Sequence, residues 1–399
     1  MSLNEAVSAE RVHIGFFGMR NAGKSSLVNA VTGQSLSVVS DVLGTTTDPV
    51  KKAMELLPIG PVVIIDTPGF DDEGYLGEKR VEKTREILSK TDIAVLIVDG
   101  SKGKCDLDNE LIEEFKKRSL PYITVFNKKD LLKEELSIVE NEIYVSALTG
   151  EGVDALKEKI AAFAKQKGEK KYIIGDMLEV GDLVVLVTPI DESAPKGRII
   201  LPQQMTLREI LDTHATAIVC QPEELSGVLN SLNKKPKLVI TDSQVFGKVS
   251  EIVPDDVLLT SFSILMARYK GELDELIKGA AKLKELKDGQ KVLISEGCTH
   301  HRQCNDIGTV KMPGWIKAFS KSEPEFIFTS GGEFPAIFED VSLVVHCGGC
   351  MLNEKEMKNR IRLCREAEVP IVNYGVAIAM MHGILKRSLE IFPELSEKV

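Results

Sequence analysis

Gly18-Met19-Arg20-Asn21-Ala22-Gly23-Lys24-Ser25 stands between the apolar run 14–17 and a helical pattern over 26–31. The order predicted is strand, phosphate loop, helix. In the spacing Gly-x4-Gly-Lys-Ser, glycines let backbone N–H groups curl round phosphate oxygens, Lys24 meets the β/γ charge and Ser25 reaches a Mg2+. Asn21, Ala22, Gly23, Lys24, Ser25 and Ser26 are the candidate phosphate contacts. By itself the stretch identifies a nucleoside triphosphate site.

Working outward, three further signatures follow in order. Gly44-Thr45-Thr46-Thr47-Asp48 is a polar run whose hydroxyls suit a switch that closes on Mg2+ and γ-phosphate, with Thr46 as the candidate metal contact. The apolar run 62–65 leads into Asp66-Thr67-Pro68-Gly69, where Asp66 can hold a Mg2+-bound water and the Gly69 N–H can reach the γ-phosphate. Lys24, Thr46, Asp66 and Gly69 are therefore the candidate catalytic set. The run 122–126 ends in Asn127-Lys128-Lys129-Asp130, and a carboxylate at Asp130 can accept from guanine N1–H and the 2-amino group together. Adenine offers no such pair. Ser146 and Ala147 add a backbone N–H for the guanine O6. The phosphate loop and the signatures at Asp66, Asn127 and Ser146 each follow a predicted strand, which specifies an α/β P-loop fold.

Residues 10–165, on these motifs, resemble the translation-factor class of small GTPases, and the 44–48 run with Asn21 resembles the branch that includes Era and the tRNA-modification GTPase MnmE. By that resemblance Phe70 stands where Ras-like enzymes place a water-orienting Gln, so a low intrinsic rate is expected. Asn21 matches the residue that in this branch binds K+, which can stand in for an arginine finger where two G domains meet. An ordinary loop residue is the equal alternative.

With 399 residues the chain exceeds one ordinary core, and three domains are expected over 8–168, 175–268 and 270–399. Its 43% hydrophobic and 28% charged content is that of a soluble globular protein, and no apolar run approaches the roughly 18 residues of a membrane span. The first 11 residues show no secretory pattern, so a cytoplasmic location is expected. A formal charge of −10 disfavours broad contact with nucleic acid or anionic lipid. In the middle region, strands at 183–188, 216–220, 238–241 and 257–260 alternate with helical patterns at 205–213 and 222–232, predicting a small parallel sheet. No catalytic cluster falls there, and His214 and Cys220 read as structural. That region is expected to serve assembly.

Four of the seven cysteines fall between 298 and 350. Cys298-Thr299-His300-His301 follows a predicted strand at 291–295, and His346-Cys347-Gly348-Gly349-Cys350 ends another at 341–345. Cys347 and Cys350 are a chelating pair, the two glycines let the backbone wrap a sulfide face, and Cys298 supplies a third thiolate. Residue types alone leave open an iron-sulfur cluster, a tetrahedral zinc with His300 or His346, a redox pair and simple packing. Cys304 is a spare thiol and Cys364, on a predicted helix over 354–368, reads as core.

A GTPase domain followed by Cys-x-His, a gap of 45 residues and His-Cys-x-x-Cys resembles the HydF family of iron-iron hydrogenase maturation over the whole chain. That resemblance implies a 4Fe-4S cluster on Cys298, Cys347 and Cys350 with a labile fourth position, and His300 and His346 are both candidates for that position or for the groups that surround it. It further implies a homodimer that carries a di-iron precursor, built by two radical-SAM maturases, to the apo-hydrogenase. The alternative class is an RNA- or ribosome-linked GTPase with a zinc-binding C-terminal domain. It lacks support from any basic, aromatic-interleaved stretch.

Overall fold

The computed structural model describes residues 11–34, 50–67, 87–132, 141–165, 171–190, 199–297, 306–331, 333–335, 337–349 and 352–397. Chain contacts divide it into two compact units, one over Glu10–Glu169 and the other containing Lys170–Val399.

The first unit is built on a six-stranded sheet. Its strands are β1 (Val12–Gly18), β2 (Val50–Leu56), β3 (Gly60–Asp66), β4 (Ile93–Asp99), β5 (Tyr122–Asn127) and β6 (Glu142–Tyr144), in the order β2-β3-β1-β4-β5-β6. Only β2 runs antiparallel, on β3. All seven residues of β4 are buried, as a central parallel strand covered on both faces requires. Helices α1 (Lys24–Thr32), α2 (Asp106–Lys117) and α3 (Val153–Lys165) supply the cover. Leu27, Val28, Leu156 and Ile160 pack on one face, and Ile112 and Phe115 on the other. The chain leaves β1 toward β3 on one side, and β4 then lies on the other side. This reversal opens a crevice at the carboxyl end of β1, where α/β sheets bind ligands. The phosphate loop occupies that position.

The second unit holds two four-stranded sheets, both wholly parallel. One comprises β7 (Leu183–Val187), β8 (Thr216–Cys220), β9 (Leu238–Thr241) and β10 (Leu258–Ser261) in the order β10-β9-β7-β8, with α4 (Leu201–Asp212), α5 (Leu225–Ser231), α6 (Phe246–Ile252) and α7 (Phe262–Lys270). The other comprises β11 (Lys291–Glu296), β12 (Glu325–Ser330), β13 (Val341–His346) and β14 (Ile371–Asn373), ordered β12-β11-β13-β14. Its helices are α8 (Leu273–Ala281), α9 (Met312–Ser320), α10 (Glu354–Glu366) and α11 (Tyr374–Met381). One hydrophobic core serves both sheets, running from Ile173 and Val184 through Leu265 and Ile277 to Val345 and Leu389. Cys364 is buried in it, and burial pushes its thiol up to about 12. Among the described residues no helix is long and apolar enough to cross a membrane.

The second sheet repeats the reversal seen in the first unit. From β11 the chain goes to β12 on one side, and β13 lies on the other. The crevice therefore falls between the carboxyl ends of β11 and β13, where the sequence continues into Gly297-Cys298 and Cys347-Gly348-Gly349-Cys350.

Candidate nucleotide site and cysteine centre

Gly23 ends the phosphate loop in a left-handed conformation, φ 85°, and α1 begins at Lys24 with no side-chain cap and no acidic residue in its first turn. An N-terminus that no side chain caps is suited to receive an anion. Lys24 is largely buried and its ammonium lies 3.5 Å from the Gly18 carbonyl oxygen. Ala22 is buried, Ser25 half-buried, and Asn21 and Ser26 exposed. Asn21 also takes a left-handed backbone, φ 62°.

Asn127 joins this loop to the base-recognition loops. Its Nδ2 donates to the Ala22 carbonyl at 3.0 Å, while its Oδ1 accepts from the Ala147 N–H at 3.0 Å. A Cβ on Gly23 would come within 2.2 Å of that Nδ2, so glycine is what lets the amide approach. Lys128 is left-handed, φ 63°, and its ammonium pairs with Asp99 at 2.6 Å. Burial raises the Asp99 pKa, but hydrogen bonds from Lys128 and Ser101 outweigh it and hold the carboxyl below its ordinary value. Asp130 is exposed and Ser146, fully buried, donates to its Oδ1 at 2.5 Å. The same hydroxyl accepts from the Thr149 N–H at 3.2 Å, which fixes where its proton points. Asp66, half-buried, ends β3 beside Phe16 of β1. Thr46, Gly69 and Phe70 lie outside the described residues.

At the cysteine centre, Cys347 is held at the end of β13 by its N–H, which donates to the Ser295 carbonyl at 2.9 Å. Its sulfur accepts from the Gly297 N–H at 3.1 Å and the Gly349 N–H at 3.4 Å. Two backbone N–H donors thus converge on one sulfur. Gly297 packs tightly on Leu352, since a Cβ there would lie 2.7 Å from Leu352 Cγ. The N–H of Leu352 donates to the Gly349 carbonyl at 3.0 Å. Cys298, His300 and Cys350 lie outside the described residues, as do His301 and Cys304. Among the described residues no three His, Cys, Asp or Glu side chains gather as a metal site.

His346 is fully buried, with Nδ1 2.7 Å from the Cys347 carbonyl and Nε2 2.9 Å from Arg360 Nη1. Arginine only donates, so Nε2 is the acceptor and the Nδ1 proton goes to the carbonyl. Burial first, then the Arg360 charge, push the imidazole down to about 3. It is neutral in this arrangement and both its nitrogens are engaged.

Several residues of this centre escape a reading of the sequence. Lys270, buried at the end of α7, donates to the Gly349 carbonyl at 3.3 Å and the Leu352 carbonyl at 2.9 Å. Arg360 and Glu356 are buried on α10. The Tyr374 hydroxyl lies 3.4 Å from Glu296. Its proton is held more tightly than usual, chiefly by burial and then by Cys347, Glu296 and Asp306.

Comparison with known proteins follows these divisions. Residues 13–128 match the family model described as 50S ribosome-binding GTPase. Over 160 residues the chain is 36% identical to the tRNA modification GTPase MnmE of Chromobacterium violaceum, covering 39% of this chain and 35% of that protein. Over 165 residues it is 40% identical to GTPase Der of Wolinella succinogenes, covering 37% and 35% respectively. The chain thus spans about a third of the length of these curated relatives. Among solved structures, Aquifex aeolicus Era bound to GDP and AlF4− is 20% identical at a TM-score of 0.35, over 52% of this chain and 91% of that one. A probable GTP-binding protein engB is 24% identical at 0.33, over 39% and 100%. Behind the GTPase match, residues 173–271 match the hydrogen maturase F dimerization domain and 274–391 the hydrogen maturase F tetramerization domain. These two matches lie end to end and take in more than half of the sequence, and the chain belongs to the hydrogen maturase F family.

Proposed function

We propose that the chain is a GTP-hydrolysing scaffold that holds a 4Fe-4S cluster on Cys298, Cys347 and Cys350 and carries a di-iron precursor, as cargo, to an apo iron-iron hydrogenase. The observation that carries this reading is the convergence at the β11/β13 crevice. Gly297, one residue before Cys298 in the sequence, donates to the Cys347 sulfur and packs on Leu352, whose N–H donates to the Gly349 carbonyl. Backbone N–H groups directed at a sulfur are what a thiolate-bound cluster requires. Bound there, the cluster would supply one iron without a protein thiolate, to which a further species can attach. Cys347 donates its sulfur, Gly297 and Gly349 orient that sulfur, and His346 fixes the Cys347 carbonyl. His300 is then the free candidate for the fourth position, because both nitrogens of His346 are engaged.

In the GTPase unit, the N–H groups at the start of α1 receive the phosphates, Lys24 meets the β/γ charge, and Ser25, Thr46 and Asp66 serve Mg2+ directly or through water. Gly69 contacts the γ-phosphate and Asp130 reads guanine. The family domains matched by residues 173–391 are named for dimerization and tetramerization, which supports self-association through the 175–268 and 270–399 regions. Two radical-SAM maturases and the apo-hydrogenase are the partners this reading implies.

Anaerobic purification with iron, sulfide and zinc analysis tests the cluster reading. The expected result is about four iron and four sulfide per chain, lost in Cys347→Ala. A colourless protein with one zinc per chain overturns it.

The reading also assigns K+ to Asn21, exposed on a left-handed turn at the mouth of the phosphate loop. GTP turnover is expected to rise when K+ replaces Na+ at constant ionic strength, by about tenfold or more if the ion takes the charge-stabilising role of an arginine. Equal rates in the two salts, with Asn21→Ala unchanged, dismiss that assignment.

A further inference from the structure

α7 ends at Lys270, and the chain then turns out through Gly271 in extended conformation. Lysines at helix ends usually run their stems along apolar surface and leave the ammonium in water. Lys270 does the opposite: only 2% of it is exposed. Its ammonium crosses to a loop 79 to 82 residues further along and donates to the carbonyls of Gly349 and Leu352. The Leu352 N–H also donates to the Gly349 carbonyl. Gly349 also donates to the Cys347 sulfur, and Leu352 holds Gly297 at the same sulfur. One ammonium therefore braces both Gly349, which donates to the Cys347 sulfur, and Leu352, against which Gly297 rests.

We propose that Lys270 is the positioning residue for Cys347, holding the backbone that directs two N–H groups at its sulfur and supplying a positive charge to that side of the centre. This rests on the cluster reading given above. The position at a helix C-terminus lowers the cost of burying the ammonium, because the last carbonyls of α7 carry partial negative charge. Charge-assisted bonds to two further carbonyls lower it again. A cluster held by three thiolates is anionic and becomes more so on reduction, so a buried cation beside it favours the reduced state and raises its potential.

The test compares Lys270→Met, Lys270→Gln and Lys270→Arg with the wild type in two assays. In metal-free protein, the alkylation rate of Cys347 is read by mass spectrometry. It is expected to rise about tenfold in Lys270→Met, the factor that loss of roughly one charge-assisted hydrogen bond allows. In anaerobically reconstituted protein, the cluster potential is followed by EPR-monitored titration. It is expected to fall in Lys270→Gln, which keeps a donor without the charge, and to return toward the wild-type value in Lys270→Arg. Circular dichroism checks folding, and Lys270→Arg with Lys270→Gln carry the comparison if Lys270→Met does not fold. Wild-type alkylation in Lys270→Met, or a wild-type potential in Lys270→Gln, overturns the proposal. A wild type that takes up zinc instead of iron sinks the cluster reading, while the alkylation assay still decides whether Lys270 positions the loop.

Discussion

Asp130→Asn is expected to lower GTP affinity by about 10²- to 10⁴-fold and to admit xanthosine triphosphate. The carboxylate stands exposed in the turn Lys129–Leu131, oriented by the buried Ser146 hydroxyl. The same hydroxyl accepts from Thr149, so its single proton is committed to Asp130. A carboxylate held this way presents acceptors to both the N1–H and the 2-amino group of guanine. Each charge-assisted bond contributes about 1.5–3 kcal/mol, and 1.4 kcal/mol is a factor of ten. Asn keeps one acceptor and turns an amide N–H against the 2-amino group, which loses one bond and adds a clash of donors. Xanthine carries an oxygen at that position, so the same amide finds a partner. Fluorescence titration with labelled GTP and xanthosine triphosphate measures both affinities. Undiminished GTP affinity in Asp130→Asn would place base recognition elsewhere.

Contiguity decided what the sequence disclosed. The phosphate loop, Asn127 to Asp130 and the Cys347-x-x-Cys350 pair each sit within a few residues, so their chemistry is written locally. The buried runs of β1, β4 and β7 were equally plain, because parallel strands covered on both faces need unbroken apolar sequence. β2 was not read. Three of its seven residues, Lys51, Lys52 and Glu55, are charged, as suits an exposed edge strand. The bridging work of Asn127 was also hidden, since the sequence places it with the base loops and the fold turns its amide toward Ala22. Lys270 and Arg360 show the limit most clearly. Both lie in helical stretches rich in charge, Met266 to Asp274 and Glu354 to Glu366, and such stretches ordinarily face water. Only long-range packing puts the one against Gly349 and Leu352 and the other against His346 and Phe334.

Arg360→Met is expected to destabilise the 170–399 unit by about 3–5 kcal/mol, the range found when one partner of a buried ion pair is removed. Arg360 is among the largest fully buried side chains of the described residues. Its Nη2 pairs with Glu356 at 3.0 Å and donates to the Gly331 carbonyl at 2.6 Å, Nη1 meets His346, and the guanidinium lies 4.9 Å over the Phe334 ring. Methionine matches the stem but leaves a carboxylate, a carbonyl and an imidazole nitrogen in the interior without the donors they now use. Arg360→Lys should recover little of the loss, because one ammonium cannot reproduce the planar fork that reaches three acceptors. Glu356→Gln added to Arg360→Met should recover a larger share, because it removes the buried charge that Arg360 now offsets. Urea unfolding followed by the single tryptophan, Trp315, which packs on His382 within this unit, reads the change. A loss below about 1 kcal/mol, the level of an exposed pair, would mean that the network does not hold His346 in place. In that case the neutral, doubly engaged imidazole would lose its support, and His346 would rejoin His300 as a candidate for the fourth position.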